Sequence, residues 1–291
     1  AMVGEARGRL DPLAVRRTLR MAGLRASRAR SQNFLADPDV LQAILDLAAV
    51  GPGDRVLEIG PGLGILTGGL LDAEANVTAI ELDRGLATYL RGRFAAELAT
   101  GQLRLIEGDA LDQPLLGLVE PPFEVVANLP YHVTSPTLHR FLGGTPRPAR
   151  LVLMLQREVA ERIAAPPGEM SYLAAFVQYH ATVQIARRVP AAAFEPAPKV
   201  ESAIVILEPR SDVPLGPPGC EAEDALWRLV QAGFRERRKM LRNVLSRQLP
   251  VEAPMIEAAL DAAGIAGERR PQTLSVSEWL ALLAALPTLR E

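Results

Sequence analysis

The chain has 291 residues, which at about 150 residues per domain predicts two domains. Apolar residues make up 48% and charged residues 23%, values of an ordinary globular protein that exclude disordered and collagenous classes. Cys220 is the single cysteine, so an internal disulfide and a multi-cysteine metal site are excluded and a reducing, cytoplasmic setting is expected.

No apolar run reaches the ~18 residues of a membrane span, and the stretch near Leu280–Leu286 is too short. The arginine-rich N-terminal region lacks the apolar core of a secretory signal.

The net charge of −2 argues against a polyanion partner only until the charges are mapped. Residues 1–30 carry eight arginines against Glu5 and Asp11, a local net of +6. Residues 225–248 carry seven cations against Glu236, again +6, which leaves −14 for the remainder. Two basic segments on an acidic chain fit a phosphate-backbone footprint, although solvated helices carry such charge too.

Residues 1–30 are expected to form a basic arm; Leu13, Leu19 and Leu24 also allow a packed helix there. From about residue 55, short β-branched runs alternate with helical patterns. Strands are predicted at Arg55–Gly60, Asn76–Asp83, Leu103–Ala110, Phe123–Leu129 and Arg150–Gln156. Helices are predicted near Gly64–Asp72, Arg84–Leu98, Ser135–Leu142, Arg157–Ala164 and Ser171–Ala181. Alternation of this kind builds a parallel sheet from βαβ units, a Rossmann-like α/β fold.

Thr182–Val189 and Ser202–Leu207, joined by a proline-rich loop too short for a crossover helix, read as an antiparallel pair at one sheet edge. Pro209, Pro214, Pro217 and Pro218 then mark a linker. Helical patterns alone follow, at Glu223–Gln248, Ala253–Ala263 and Ser275–Leu286. The expected division is an arm (1–30), an α/β domain (31–208) and a small all-helical domain (209–291).

Val56-Leu57-Glu58-Ile59-Gly60-Pro61-Gly62-Leu63-Gly64 is a buried strand entering a glycine turn and a helix. Ile65 stands where a dinucleotide fingerprint places its third glycine, and Pro61 removes an amide that a pyrophosphate would use. A phosphate-free nucleoside cofactor, S-adenosylmethionine, fits better.

The second strand ends at Glu81-Leu82-Asp83, where an acid can accept both ribose hydroxyls. The third ends at Gly108-Asp109-Ala110, where a carboxylate can accept an adenine amino group. Either acid could instead cap a helix, the reading favoured for Asp83 but not for Glu81.

Asn128-Leu129-Pro130-Tyr131 closes the fourth strand. A purine exocyclic amine is a poor nucleophile, because its lone pair is delocalised into the ring. The Asn128 amide and the Leu129 carbonyl can take its protons and draw the nitrogen toward tetrahedral geometry, while Tyr131 offers a stacking face. Positioning then supplies most of the acceleration, and no strong base is needed.

With these motifs the chain resembles the small-subunit ribosomal RNA adenine dimethyltransferases, relatives of the erythromycin-resistance methylases and the mitochondrial transcription factor B proteins. The resemblance spans about residues 26–286. It rests also on Gln32-Asn33-Phe34-Leu35, Met154–Val159, Phe194–Ser202 and Arg237–Asn243.

It implies that Asn33 and Leu35 contact the methionine part of the cofactor. Gly60 and Gly62 would line the sulfonium, Glu81 with Leu82 the ribose, and Asp109 the adenine. Asn128, Leu129 and Tyr131 would hold the target amine, and Phe194 would stack on the flipped adenine. The implied products are S-adenosylhomocysteine and two adjacent N6,N6-dimethyladenosines near the 3′ end of small-subunit rRNA. The substrate would be a pre-assembled small subunit and the enzyme a monomer.

Two positions depart from the family pattern: Ser31 replaces a glycine, and Glu236 replaces a glutamine within the basic patch.

On a continuous helical wheel Leu229, Val230, Phe234, Met240, Leu241 and Leu245 share one face. Arg228, Arg235, Arg238, Lys239 and Arg242 share the other, which suits RNA phosphates. Arg237 falls inside the apolar arc and is expected to pair with an acid. His132, His139 and His180 lack metal-ligand spacing, so no metal is predicted. Two readings stay open: a large-subunit rRNA adenine methylase of the macrolide-resistance type, and a catalytically silent assembly or transcription factor of the same fold.

Overall fold

The structure, a computed structural model, describes residues 10–27, 32–130 and 133–289. Arg7, Arg9, Arg28, Arg30, Ser31, Tyr131 and His132 lie outside them. The chain divides into two compact units.

The first unit comprises Ala1–Phe141, Thr145–Ala160 and Gln184–Glu208. It opens with α1 (Pro12–Met21), β1 (Phe34–Leu35) and α2 (Pro38–Ala48). The alternating run follows as β2 (Arg55–Ile59), α3 (Ile65–Asp72), β3 (Asn76–Glu81), α4 (Arg84–Arg93), α5 (Ala95–Thr100) and β4 (Leu103–Glu107). After it come β5 (Glu124–Asn128), α6 (Thr134–Gly143), β6 (Arg150–Gln156) and α7 (Arg157–Ile163). Beyond α8 (Tyr172–His180) lie β7 (Ala181–Val189), β8 (Phe194–Glu195) and β9 (Ser202–Pro209).

Seven strands form one sheet in the order β4-β3-β2-β5-β6-β9-β7. β2 pairs in parallel with both β3 and β5, and β9 returns antiparallel on β6. β7 lies at the edge beside β9, where the late strand pair was expected. Strands covered on both faces read as continuous apolar runs, and Leu151–Leu155 is buried throughout. The strand order reverses between β2 and β5, which opens a crevice at their carboxyl ends.

The N-terminal segment is more ordered than a basic arm. Asp11 caps α1 by accepting the Ala14 amide at 2.8 Å, and Pro12 starts it. Val15 and Leu19 are buried against Phe34, Leu63 and Leu86, whereas Leu13 stays 67% exposed. Asp37-Pro38 starts α2 in the same way, a helix absent from the sequence reading. The expected Arg84–Leu98 helix is two helices. Phe94 leaves helical geometry at φ −114°, ψ 35°, and its ring is buried in the core.

The second unit comprises Leu142–Gly144, Glu161–Val183 and Pro209–Glu291. It adds α9 (Glu221–Phe234), α10 (Leu241–Gln248), α11 (Ala253–Ala262) and α12 (Val276–Ala284). Residues 161–183, which the sequence reading assigned to the α/β domain, group here because Met170, Ala174, Ala175 and Tyr179 share a core with Leu226, Leu229 and Trp279. The expected single helix Glu223–Gln248 is broken over 235–240. A run of four cations around one acid crowds like charges at helical spacing, and Met240 enters α10 in an extended conformation. The continuous wheel therefore loses phase after Phe234, and Met240 is exposed.

His180 ends α8 fully buried, with Nε2 2.7 Å from the Glu223 carboxylate in the first turn of α9. Glu223 also accepts the Gly219 amide and Trp227 Nε1. Burial alone would raise its carboxyl, but the His180, Gly219 and Trp227 hydrogen bonds outweigh it and hold the carboxyl below the usual range. A depressed carboxyl stabilises the fold above its unfolded pKa and loses that contribution as pH falls through the folded value. Glu223→Ala is expected to cost about 2–3 kcal/mol by leaving buried donors without an acceptor. It should also remove part of the acid sensitivity below about pH 4.5. Both tryptophans, Trp227 and Trp279, lie in this unit, so denaturation followed by their fluorescence checks it.

Candidate functional site

A single pocket at the carboxyl ends of β2, β3, β4 and β5 gathers most of the expected residues. Asn33, Leu35, Gly60, Gly62, Glu81, Leu82, Asp109, Asn128, Leu129 and Phe194 all line it. Tyr131 lies outside the described residues.

Four strand tips and a two-residue ladder position these side chains. Gly60, Gly62 and Gly64 all adopt positive φ, which brings the turn back toward α3 without a Cβ in the way. A Cβ on Gly62 would sit 3.1 Å from the Phe34 ring, so the ring would have to shift to admit one, and the positive φ disfavours a side chain as well. β1 pairs antiparallel with β8, with Phe34 opposite Glu195 and Leu35 opposite Phe194. This carries the N-terminal Asn33–Leu35 segment to the pocket beside Phe194, which is itself 2% exposed.

Glu81, the last residue of β3, is buried. One carboxylate oxygen accepts the Gly62 amide at 3.0 Å and the other the Asp83 amide at 2.8 Å. The helix-cap role belongs to Asp83, which accepts the Gly85 and Leu86 amides at the start of α4. Half-buried Asp109 turns one oxygen to the Leu111 amide at 2.8 Å.

Asn128 is the last residue of β5. Its Nδ2 donates to the Asn33 carbonyl at 3.4 Å, which orients the amide oxygen away from that carbonyl. The Leu129 amide is anchored on the Met154 carbonyl at 3.2 Å.

The sequence reading gave no role to two polar lining residues, Glu58 and Thr137. Glu58, buried on β2, accepts the Thr67 hydroxyl at 2.6 Å. Burial, opposed by that bond and reinforced by the Glu81 carboxyl, pushes Glu58 up to about 8. Its place one residue before Ile59-Gly60 was a legible signal. Thr137 of α6 is fully buried, and its hydroxyl has no hydrogen-bond partner among the described residues. A lone threonine in a helical pattern carried no such signal.

The pocket fits a phosphate-free, cationic nucleoside cofactor. The Gly62 amide, which a phosphate-binding loop would offer to its ligand, is taken by Glu81, and Pro61 has no amide to offer. Two carboxylates on the lining, Glu81 and Asp109, would repel phosphate and suit a sulfonium and an ammonium, while Glu58 keeps its proton at neutral pH. The unpartnered Thr137 hydroxyl supplies a buried polar group for a ligand to satisfy.

The basic cluster of the second unit is less uniform than its sequence. Arg235 donates to Gln248 at 2.8 Å, and Arg242 pairs with Glu268 at 2.7 Å. Arg228 is bonded to the Leu289 carbonyl. Arg238 and Lys239 are exposed, without an ion-pair partner among the described residues. Arg237 reaches the Met170 carbonyl at 3.4 Å, so its partner is backbone and not the expected acid.

Residues 23–282 match the family described as ribosomal RNA adenine dimethylase. A ribosomal RNA small subunit methyltransferase A of Anaeromyxobacter dehalogenans is 44% identical over 278 residues, covering 90% of this chain and 94% of that protein. One from Geobacter sulfurreducens is 41% identical over 277 residues, covering 92% and 98%. Among solved structures, a dimethyladenosine transferase from Plasmodium falciparum superposes with a TM-score of 0.73 at 28% identity, covering 88% of this chain and 98% of that one. The 23S rRNA methyltransferase ErmE gives 0.67 at 29%, covering 88% and 100%.

Glu58 yields a pH test. Because its folded value is raised, the folded chain keeps a proton that the unfolded chain loses between about pH 4.5 and 8. Stability should therefore fall across that window, by up to about 1.4 kcal/mol per pH unit. Glu58→Gln should flatten that fall in denaturant titrations at pH 5 and pH 8. An unchanged difference between the two pH values would show the carboxyl already ionised.

Proposed function

The chain belongs to the ribosomal RNA adenine dimethylase family, and we propose that it methylates the N6 amines of two adjacent adenosines near the 3′ end of small-subunit rRNA. S-adenosylmethionine is the methyl donor in this reading, and a pre-assembled small ribosomal subunit is the substrate. The enzyme works as a cytoplasmic monomer.

The observation that carries the reading is the orientation of Asn128. With Nδ2 held on the Asn33 carbonyl, the amide oxygen is the group left to accept a proton of the target amine. The bound cofactor supplies an electrophilic methyl group on a cationic sulfonium. Glu81 and Asp109 accept hydrogen bonds from its ribose and adenine, and the Asn33–Leu35 segment covers its methionine part. Gly60 and Gly62 let the backbone approach the reacting centre closely.

Asn128 and the Leu129 carbonyl accept hydrogen bonds from the amine, which restores lone-pair density to the nitrogen. The methylated nitrogen formed as the sulfonium becomes a thioether is cationic and then releases one N–H proton to solvent. Tyr131 stacks on the base, whereas Phe194, almost fully buried opposite Leu35, backs the pocket wall and offers no open stacking face. Orientation, with no strong general base, lowers the barrier. Between the two rRNA classes, support for the small subunit comes from curated small-subunit relatives at 41–44% identity over nearly the whole chain.

Transfer of label from tritiated S-adenosylmethionine to unmethylated small subunits, and not to free large-subunit rRNA, is the expected result. The reverse pattern would assign the chain to the large subunit, and no transfer to either would leave a binding protein. Asn128→Ala should lose methyl transfer by at least about a hundredfold while S-adenosylhomocysteine affinity stays within a few fold. Reversing the charge of Arg238 and Lys239 together should raise KM for the small subunit without changing cofactor affinity. Equal losses of both would remove these residues from the RNA contact.

A further inference from the structure

Helix α1 lies before every motif that defines the pocket, and nothing in the transfer chemistry uses it. Its position is nevertheless specific. Its buried face, Val15 and Leu19, packs on Phe34 and Leu63, the side chains beside the Asn33–Leu35 segment and the glycine turn. Its other attachment is ionic. Arg16 Nε lies 2.8 Å from one carboxylate oxygen of Glu195, and Nη2 lies 2.9 Å from the other.

Glu195 is the β8 residue opposite Phe34 and the chain neighbour of Phe194. The Ala36 amide donates to the Ala193 carbonyl at 2.8 Å and extends the same ladder. The Asn33 carbonyl, one residue before β1, receives the Asn128 amide. A single covalent and hydrogen-bonded path thus runs from α1 through β8 and β1 to the group that orients the target amine.

We propose that α1 is the latch of this ladder and that Arg16 and Glu195 are positioning residues for cofactor binding. The proposal rests on the cofactor reading of the pocket given above. An apolar contact two side chains wide is non-directional and permits α1 to slide or rotate. A guanidinium fork on both oxygens of one carboxylate fixes orientation as well as distance. Glu195 is only 15% exposed, so the acid end of the pair is shielded from salt, while Arg16 at 57% remains open to solvent. Seated α1 holds the β1–β8 ladder down, and the ladder holds Asn33 and Leu35 on one side of the pocket and Phe194 on the other. Released, the ladder keeps its residues but loses its fixed height over the cofactor.

The test uses the full chain with Arg16→Glu, Glu195→Arg and the double exchange. Each single reversal is expected to weaken S-adenosylhomocysteine binding by calorimetry about five- to tenfold. KM for S-adenosylmethionine should rise by a similar factor, with kcat at saturating cofactor within twofold and Tm within about 2 °C of the parent. The double exchange should recover most of the lost affinity.

A merely structural pair would instead lower Tm and the active fraction while leaving KM unchanged, and that result overturns the proposal. So does a double exchange no better than the worse single variant. Wild-type chain that binds S-adenosylhomocysteine no better than Glu81→Ala overturns the pocket reading itself. Wild-type chain that binds it better, beside single reversals that bind as well as wild type, overturns only the latch.

Discussion

The pocket depends on a ladder two residues long. Phe34 and Leu35 pair with Glu195 and Phe194 across about 160 residues of chain, and that pairing brings the N-terminal segment to the carboxyl end of the sheet. An isolated two-stranded pairing is marginal in water, and closing so long a loop adds an entropic cost. Both faces of this ladder are therefore anchored. Phe34 is buried with α1, and Leu35 and Phe194 are buried in the main core. The Asn33 carbonyl that orients Asn128 follows directly from this anchoring, as does the restriction at Gly62, whose missing Cβ is what Phe34 packs against.

The second constraint is electrostatic and concerns how the glycine turn spends its amides. A strand, a glycine turn and a helix make an anion site when the amides point at the ligand. Here Glu81 takes the Gly62 amide and Pro61 contributes none, so the same backbone geometry presents carboxyl oxygens instead. Glu58 adds a third acid beneath the turn, and burial beside Glu81 keeps its proton on at neutral pH. Removing the phosphate function from the loop and adding acids around it turns a dinucleotide-like fold toward a cationic ligand. The chain's segregated charge follows the same division, with the pocket in the acidic part.

The strand tips were legible because each couples a local signal to a chemical one. A β-branched run ending in glycines or an acid reads as a strand carboxyl end, and in an open α/β sheet those ends share one crevice. Asn33, Glu81, Asp109 and Asn128 reach a single pocket for that reason.

The ladder was not legible as geometry, since two residues show no periodicity and their partners lie far away in sequence. Helices α1 and α2 could have been found. Asp11-Pro12 and Asp37-Pro38 are both an acidic cap followed by proline at the first helical position, and in each case the carboxylate accepts amides of the first turn. The leucines of residues 1–30 already allowed a packed helix at α1, whereas α2 lies before the alternation that starts near residue 55 and carried its cap signal alone.

The basic segment shows what a helical wheel cannot register. Periodicity assumes that the helix continues, whereas five charges in a row at 235–239 make continuation costly at the i+3 and i+4 spacings. The chain turns there, so its cations sit on a bend between α9 and α10 instead of along one face. Glu236 then does not sit among them as a competing carboxylate. It pairs with Arg247 at 2.8 Å and accepts Gln248, on α10. The acid that departs from the family pattern is thus paired within the helical unit, and Arg238 and Lys239, two and three residues on, stay exposed to solvent. For a ligand recognised through its phosphates, the cations open to contact are therefore Arg238 and Lys239 on the exposed bend, not five along one helical face.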